Sequence, residues 1–265
     1  MIDANDLINR LKKEHYKTGY TLDERDEFKL VYNTLNSLGV DTSNFISHLQ
    51  TLTILKENDP NSEISGYNPK TNTINYANEE HILHELFHMA SYKKGEQDSG
   101  IVVVEDGYRG NYALNEGITD FCTKMAKNDS VCSYPFEMLV AQSLSYIFGD
   151  GFLKAYFNNS YEEFINSFPE LIRIDIIDIL SNLDEYNDLT QSIYSGDFFP
   201  EDIESVREIS ENILSSLYDI CEYGIRNQEG LTELLQKSAD TNDMKQIVNI
   251  VNINSFLDNL PSKGL

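Results

Sequence analysis

The chain of 265 residues carries 20 Lys and Arg against 44 Asp and Glu, so its formal net charge is −24. This excess of negative charge argues against nucleic acid and anionic membrane surfaces as partners. The hydrophobic content of 40% is typical of a globular chain and excludes a disordered one. Three cysteines, Cys122, Cys132 and Cys221, are too few and too widely spaced for a disulfide framework or a metal-binding pair. We expect buried thiols in a reducing compartment.

The N-terminal sequence MIDANDLINRLKKEHY lacks the basic and apolar regions of a secretory signal. No apolar run approaches the roughly 18 residues that a transmembrane helix needs. We therefore expect a cytoplasmic protein, with export by an unconventional route as the open alternative.

The first part of the chain mixes helical and extended patterns. Apolar residues recur at helical spacing over residues 25–39, and residues 52–56 alternate like a strand. The turn-forming sequence NPKTN within residues 63–77 predicts a hairpin. Asn78 then provides an N-cap for a helix that we expect to run to about Tyr92.

Further along the chain, the sequence predicts a short strand over residues 100–105 and a helix that begins near Tyr112. After about residue 130 the pattern is helical throughout, including residues 170–183 and 244–260. Residues 206–225 place one apolar stripe on a helix, formed by Val206, Ile209, Ile213, Leu217 and Ile220. We predict an α+β fold, with a small β-sheet and helices in residues 1–130 and an all-helical lobe in residues 131–265.

The sequence HILHELFHMA, residues 81–90, contains three of the five histidines of the chain. His84 and His88 are four residues apart, so on a helix both imidazoles point the same way and can bind one Zn²⁺ at about 2.0–2.1 Å each. Glu85 flanks this pair and can accept a proton from the attacking water, which is the general-base role in metal-assisted hydrolysis. The surrounding apolar residues predict a buried helix, where an imidazole pair without a partner would be costly. We read His81 as a partly exposed residue at the start of this helix.

A catalytic zinc normally has a third protein ligand, and the other histidines, His15 and His48, have no ligand-like setting. A downstream carboxylate is therefore expected. The sequence LNEGITD, residues 114–120, places Glu116 and Asp120 four residues apart on one helix face. One of them can bind the metal while the other accepts the N–H of a ligand histidine. Gly117 predicts a close approach of this helix to the histidine helix.

The motif HELFH, followed by NEGITD with its glutamate 28 residues after His88, resembles the gluzincin metallopeptidases, of which thermolysin is the best-known member. The resemblance covers roughly residues 65–130 and is confined to the catalytic motifs. It implies one zinc ion per chain, with His84, His88 and Glu116 as ligands. It also implies that Glu85 is the base and that Asp120 supports a ligand histidine.

The same resemblance implies a tyrosine, shortly before the ligand glutamate, that stabilises the oxyanion. Tyr108 and Tyr112 are the candidates, Tyr108 is preferred, and Arg109 is another possible donor. It also implies that a sheet edge beside the cleft pairs with the substrate backbone, a role that we assign to the hairpin ending in NTINY, residues 72–76.

Together these features predict a zinc metallopeptidase that hydrolyses peptide bonds with water activated by zinc, acting on a peptide or protein substrate. A regulatory protease specific for one cytosolic protein would use the same chemistry. A zinc-containing module that binds peptides or proteins without turnover, and a helical protein whose motif is accidental, are the alternatives in other classes.

Overall fold

A computed structural model describes residues 22–56, 65–105, 107–130, 132–158, 160–223, 227–245, 251 and 253–260. The backbone groups into two compact units. The first takes its described residues from 1–109, 119–131 and 153–164, and the second from 110–118, 132–152 and 165–265. The predicted lobes, 1–130 and 131–265, remain a prediction about domains. Within the described ranges, no helix is both long enough and apolar enough to cross a membrane.

The first unit begins with two helices and a three-stranded sheet. Helices α1 (Leu22–Ser37) and α2 (Ser43–Leu49) precede strands β1 (Thr53–Lys56), β2 (Gly66–Asn68) and β3 (Thr73–Tyr76). The sheet order is β1-β3-β2, with β1 parallel and β2 antiparallel to β3. The strand over residues 52–56 and the hairpin are confirmed for the described residues. Residues 63 and 64 of the predicted hairpin and the N-terminal segment with His15 lie outside them.

Within the predicted hairpin, NTINY forms β3, which is the central strand of the sheet, so only β2 gives the hairpin an outer edge. Pairing of that edge with a substrate stays a prediction. The partners of β3 are paired residue by residue on both sides, Ile54 with Ile74 on one side and Tyr67 with Ile74 on the other. Only β1 and β2 have an outer side in the described sheet.

Strand β3 leads into the histidine helix through a capped 3₁₀ turn. The side chain of Asn78 accepts a hydrogen bond from the backbone N–H of Glu80, and the turn Glu79–His81 continues as helix α3 (Ile82–Ser91). The predicted cap is confirmed, and His81 is half-buried as expected, with Nδ1 3.0 Å from Ser65 Oγ.

Helix α3 is buried at nearly every position, and both α1 and α2 pack against it. Its C-terminal carbonyl groups are paired by two side chains. Asn44 Nδ2 donates to the carbonyls of Ala90 and Tyr92, and Lys93 Nζ donates to that of Ser91. The histidine helix is therefore fixed at both ends.

Two short strands, β4 (Val103–Glu105) and β5 (Tyr108–Gly110), form a second sheet before helix α4 (Tyr112–Ala126). The predicted strand and the predicted helix near Tyr112 are confirmed. Residues 113–120 are buried without a break, whereas Met125 is 45% exposed, so the apolar stripe expected along this helix extends beyond its buried part.

The remaining elements are helices, as predicted. They are α5 (Pro135–Phe148), α6 (Asp150–Asn158), α7 (Tyr161–Asn166), the 3₁₀ turn Glu170–Ile172, α8 (Arg173–Ser195), α9 (Pro200–Tyr223), α10 (Gln228–Ala239), α11 (Asn242–Lys245) and α12 (Ile253–Asn259). In the second unit α8 packs along α9, and the predicted stripe of α9 is buried at all five positions. The helix predicted over 244–260 is seen as α11 and α12, and residues 246–250 and 252 lie outside the description. The α+β fold, with small sheets in the first half and helices in the second, is confirmed.

Candidate metal centre

His84 and His88 face each other on α3, as the spacing predicts. Their Nε2 atoms are 3.0 Å apart and their ring centroids 4.8 Å apart. His88 is 7% exposed, whereas His84 is half-buried. The two imidazoles therefore present one nitrogen each to the same point.

Glu116, on α4, completes a group of three side chains that can hold a metal ion. One ligand atom from each of His84, His88 and Glu116 lies within 4.8 Å of the other two. Glu116 is 6% exposed, so it does not belong to a solvated acidic face. Glu116, the carboxylate predicted from LNEGITD as the third ligand, thus lies together with the histidine pair.

Asp120 lies one turn after Glu116 and is 1% exposed. Its Oδ1 atom is 2.8 Å from Nδ1 of His84. Because a carboxylate only accepts hydrogen bonds, Nδ1 of His84 carries the hydrogen and Nε2 is left with its lone pair. A second carboxylate that fixes the tautomer of a ligand histidine is the arrangement expected around a metal.

His88 is oriented by hydroxyl groups instead. Ser99 Oγ and Thr119 Oγ1 each lie 3.4 Å from its Nδ1, and both side chains are buried. These hydroxyl oxygens can accept a hydrogen bond from Nδ1 of His88, and in that tautomer Nε2 has the lone pair that a metal requires.

Two lone pairs that face each other at 3.0 Å repel unless a cation or a proton lies between them. Two nitrogens bound at about 2.05 Å to a tetrahedral ion are roughly 3.3 Å apart, close to the observed separation. The donor set of two imidazoles and one carboxylate also suits Zn²⁺. The residues present therefore fit a metal ion.

Glu85, the predicted base, is buried on α3 directly after His84 and lies outside the group of three possible ligands. Its placement agrees with the prediction that it flanks the site without having to bind the metal.

The two tyrosines proposed for the oxyanion lie in different settings. Tyr108, on β5, is 64% exposed, and its neighbour Arg109 forms an ion pair with Asp98. Tyr112 begins α4, and its hydroxyl oxygen is 3.1 Å from that of Tyr134.

Tyr134 is a candidate that the sequence reasoning missed. Burial, followed by the negative charge of Glu116, raises the pKa of the Tyr134 hydroxyl well above its ordinary value. This phenol therefore remains a hydrogen-bond donor within electrostatic reach of Glu116. The HELFH and NEGITD motifs do not include Tyr134, because this residue precedes α5 and not one of the two helices that carry the motifs.

The start of α4 is fixed by a carboxylate of α8. Asp184 accepts hydrogen bonds from the backbone N–H groups of Asn111, at 2.6 Å, and Ala113, at 2.9 Å. These N–H groups lie at a helix N-terminus and have no partner within the helix. Asp184, 71 residues from Ala113 in sequence, thereby positions the helix that carries Glu116.

Gly117 allows a close helix approach, but to α5 rather than to the histidine helix. A Cβ atom at residue 117 would overlap the carbonyl group of Glu137 and lie 2.9 Å from its Cβ. The partner predicted for this approach is therefore wrong, although the need for a glycine is confirmed.

Comparisons with protein-family models, with curated proteins and with solved structures found no match to this chain. The resemblance to gluzincins thus rests on the two motifs and on the cluster that they form. What the fold and site define is a possible metal centre of two histidines and one glutamate in a mostly helical α+β protein.

Proposed function

We propose that this chain is a zinc metallopeptidase. The observation that carries the proposal is the group of His84, His88 and Glu116, in which Asp120 fixes the tautomer of His84. A bound zinc would act as a Lewis acid towards the substrate carbonyl and activate water as the nucleophile. His84, His88 and Glu116 would hold it.

Glu85 supplies the proton transfer. It takes a proton from the attacking water and returns it to the leaving amine, and its burial next to His84 supports this role. A site that served only to bind metal would not need a carboxylate at this place.

A phenol donates a hydrogen bond to the oxygen on which negative charge develops. Tyr108 is the residue expected from the motif order. The hydroxyl pair of Tyr112 and Tyr134, both half-buried, is a second candidate, favoured because Tyr134 lies within electrostatic reach of Glu116. Single Phe substitutions distinguish them, because only the loss of the true donor lowers kcat, by about 10²–10³-fold.

The substrate backbone adds to an outer strand of the first sheet, β1 or β2, since β3 is already paired on both sides. The substrate is a peptide or protein, and specificity for a single protein would involve the same residues.

The test combines metal analysis with peptide cleavage. Purified protein should contain one zinc per chain, and alanine at His84, His88 or Glu116 should abolish tight binding. Glu85→Gln should retain zinc and lose cleavage of a diverse peptide library, and a chelator should abolish cleavage by the wild type.

Glu80→Gln makes the same charge change at an exposed position beside α3 and should cleave normally. Cleavage by Glu85→Gln at the wild-type rate would refute the mechanism. Zinc and peptide binding without cleavage would indicate a binding module, and absence of stoichiometric zinc would indicate an accidental motif.

A further inference from the structure

The second unit contains a cavity of about 150 Å³ beside the N-terminus of α5. A cavity of roughly this volume holds a molecule the size of benzene. Its lining includes residues of α5, the residue before α5, and residues of α8, among them Tyr134, Glu137, Tyr186, Asn187, Thr190 and Tyr194.

The polar groups of this cavity include several acceptors. Glu137 is 3% exposed and carries a carboxylate. Asn187 is 5% exposed, and its Oδ1 atom has no hydrogen-bond partner among the described residues. Thr190 donates its hydroxyl hydrogen to the carbonyl oxygens of Tyr186 and Asn187, which leaves its own oxygen as an acceptor. A buried acceptor without a donor is costly, so a ligand that donates hydrogen bonds fits this cavity.

Three aromatic rings also line the cavity, together with Ser133, Pro135 and Gln191. Tyr134, Tyr186 and Tyr194 all line the cavity, and the charge of Glu137 contributes, after burial, to a raised pKa of each of their hydroxyl groups. The three phenols therefore lie within electrostatic reach of the carboxylate. Tyrosine rings and a carboxylate that line one cavity can attract an ammonium or guanidinium group through cation–π and ionic interactions.

The cavity is adjacent to one of the candidate metal ligands. Gly117, which follows Glu116 on α4, is in direct van der Waals contact with the backbone of Glu137. Tyr134 lines the cavity and also lies within electrostatic reach of Glu116. A side chain bound in this cavity thus lies near Glu116.

We propose that this cavity is a specificity pocket for a basic side chain, lysine or arginine, of the peptide substrate. The inference rests on the proposed peptidase function. Glu137 and Asn187 receive the hydrogen bonds of the cation, and the tyrosine rings surround its methylene groups. The net charge of −24 further favours a cationic substrate over an acidic one.

The competing explanation gives Glu137 a purely structural role. It lies in the first turn of α5, where a negative charge stabilises the helix N-terminus. In that case its removal would lower the melting temperature without changing any preference for cations.

The first measurement uses n-butylammonium as a mimic of the lysine side chain, titrated into the full-length zinc-loaded protein and followed by NMR, with 1-pentanol as the neutral comparison. The wild type should bind the ammonium and not the alcohol. Glu137→Gln should weaken ammonium binding at least about tenfold. Glu211→Gln, the same change at an exposed position of α9, should leave it unchanged.

A second variant, Tyr194→Leu, tests the pocket independently in case Glu137→Gln does not fold. Tyr194 is 59% exposed, so Tyr194→Leu should fold normally and weaken binding about threefold through the lost ring. Tyr223→Leu, at a residue that is 66% exposed on α9, is its control. Equal binding by all these variants would overturn the proposal.

The second measurement distinguishes failure of the pocket hypothesis from failure of the proposed peptidase function. Matched peptides that carry lysine or norleucine at one position are tested for cleavage by the wild type and for binding by Glu85→Gln. Preference for lysine that disappears in Glu137→Gln supports the pocket. Cleavage without any preference overturns the pocket and leaves the peptidase. Ammonium binding by a protein that neither holds zinc nor cleaves would overturn both the peptidase and the substrate role of the pocket.

Discussion

Replacing Gly117 by alanine tests whether the position of Glu116 depends on the packing of α4 against α5. The added Cβ would overlap the carbonyl group of Glu137, whereas non-bonded carbon atoms prefer about 3.5–4.0 Å. The two helices would have to separate by about 1 Å, since a backbone carbonyl within a helix cannot rotate away. Such overpacking costs typically about 1–3 kcal/mol. Overlap with a backbone carbonyl belongs near the upper end of this range, about 3 kcal/mol. Alanine gains only about 1 kcal/mol over glycine inside a helix, so we expect a net loss of about 2 kcal/mol.

Gly151→Ala is the matched control. Gly151 lies in helix α6, and a Cβ added there would meet no atom within 4 Å. Only the higher helix propensity of alanine then affects stability, so the free energy of unfolding should stay constant or rise by up to about 1 kcal/mol.

Urea denaturation of both variants measures the stability change, and a competition titration with a chelating dye measures zinc affinity. Because Glu116 precedes Gly117, the displacement should also weaken zinc binding of the Gly117 variant, by about tenfold. A Gly117→Ala protein that is as stable as the wild type would refute the packing argument. A destabilised variant with normal zinc affinity would refute the link between this packing and Glu116.

Two further predictions concern buried ionisable groups. Asp120→Asn should weaken zinc affinity about 10–100-fold, because the His84 tautomer is no longer fixed, and unchanged affinity in a dye competition would contradict this role. Burial lowers the pKa of Lys93 from 10.5 to about 8, so the unfolded chain binds more protons between these values and stability rises with pH there. The wild type should gain about 2 kcal/mol of unfolding free energy relative to Lys93→Met between pH 8 and pH 10, as measured by urea denaturation. The same comparison with Lys94→Met, at an exposed lysine, should show no such gain.

The parts of the site that the sequence predicts are those set within one helix. The i, i+4 spacing alone places the imidazoles of His84 and His88 together, and it places Glu116 and Asp120 on one face. The cap at Asn78 is equally local, because its acceptor and donor are two residues apart. These features needed no knowledge of any other element.

The features that sequence reasoning missed depend on which elements become neighbours. Strand β3 pairs with β2 on one side, as the hairpin predicts. It becomes the central strand because β1, which precedes β2 in the sequence, pairs with its other side. Gly117 indicates that another element packs closely against α4, but helix periodicity does not identify α5 as that element. Asp184 and Tyr134 are brought to α4 by contacts far apart in sequence, and no local pattern identifies them.

The number of ligands bears on whether a bound zinc would be structural or catalytic. Structural zinc sites are closed by four protein ligands, whereas catalytic sites use three and leave one position for water or substrate. The group found among the described residues has three members, His84, His88 and Glu116. Glu85 is buried beside this group without belonging to it. A fourth carboxylate ligand would close the site, whereas a base next to an open position would suit hydrolysis. The three candidate ligands, with Glu85 beside them, therefore support the proposed peptidase over a passive binding module.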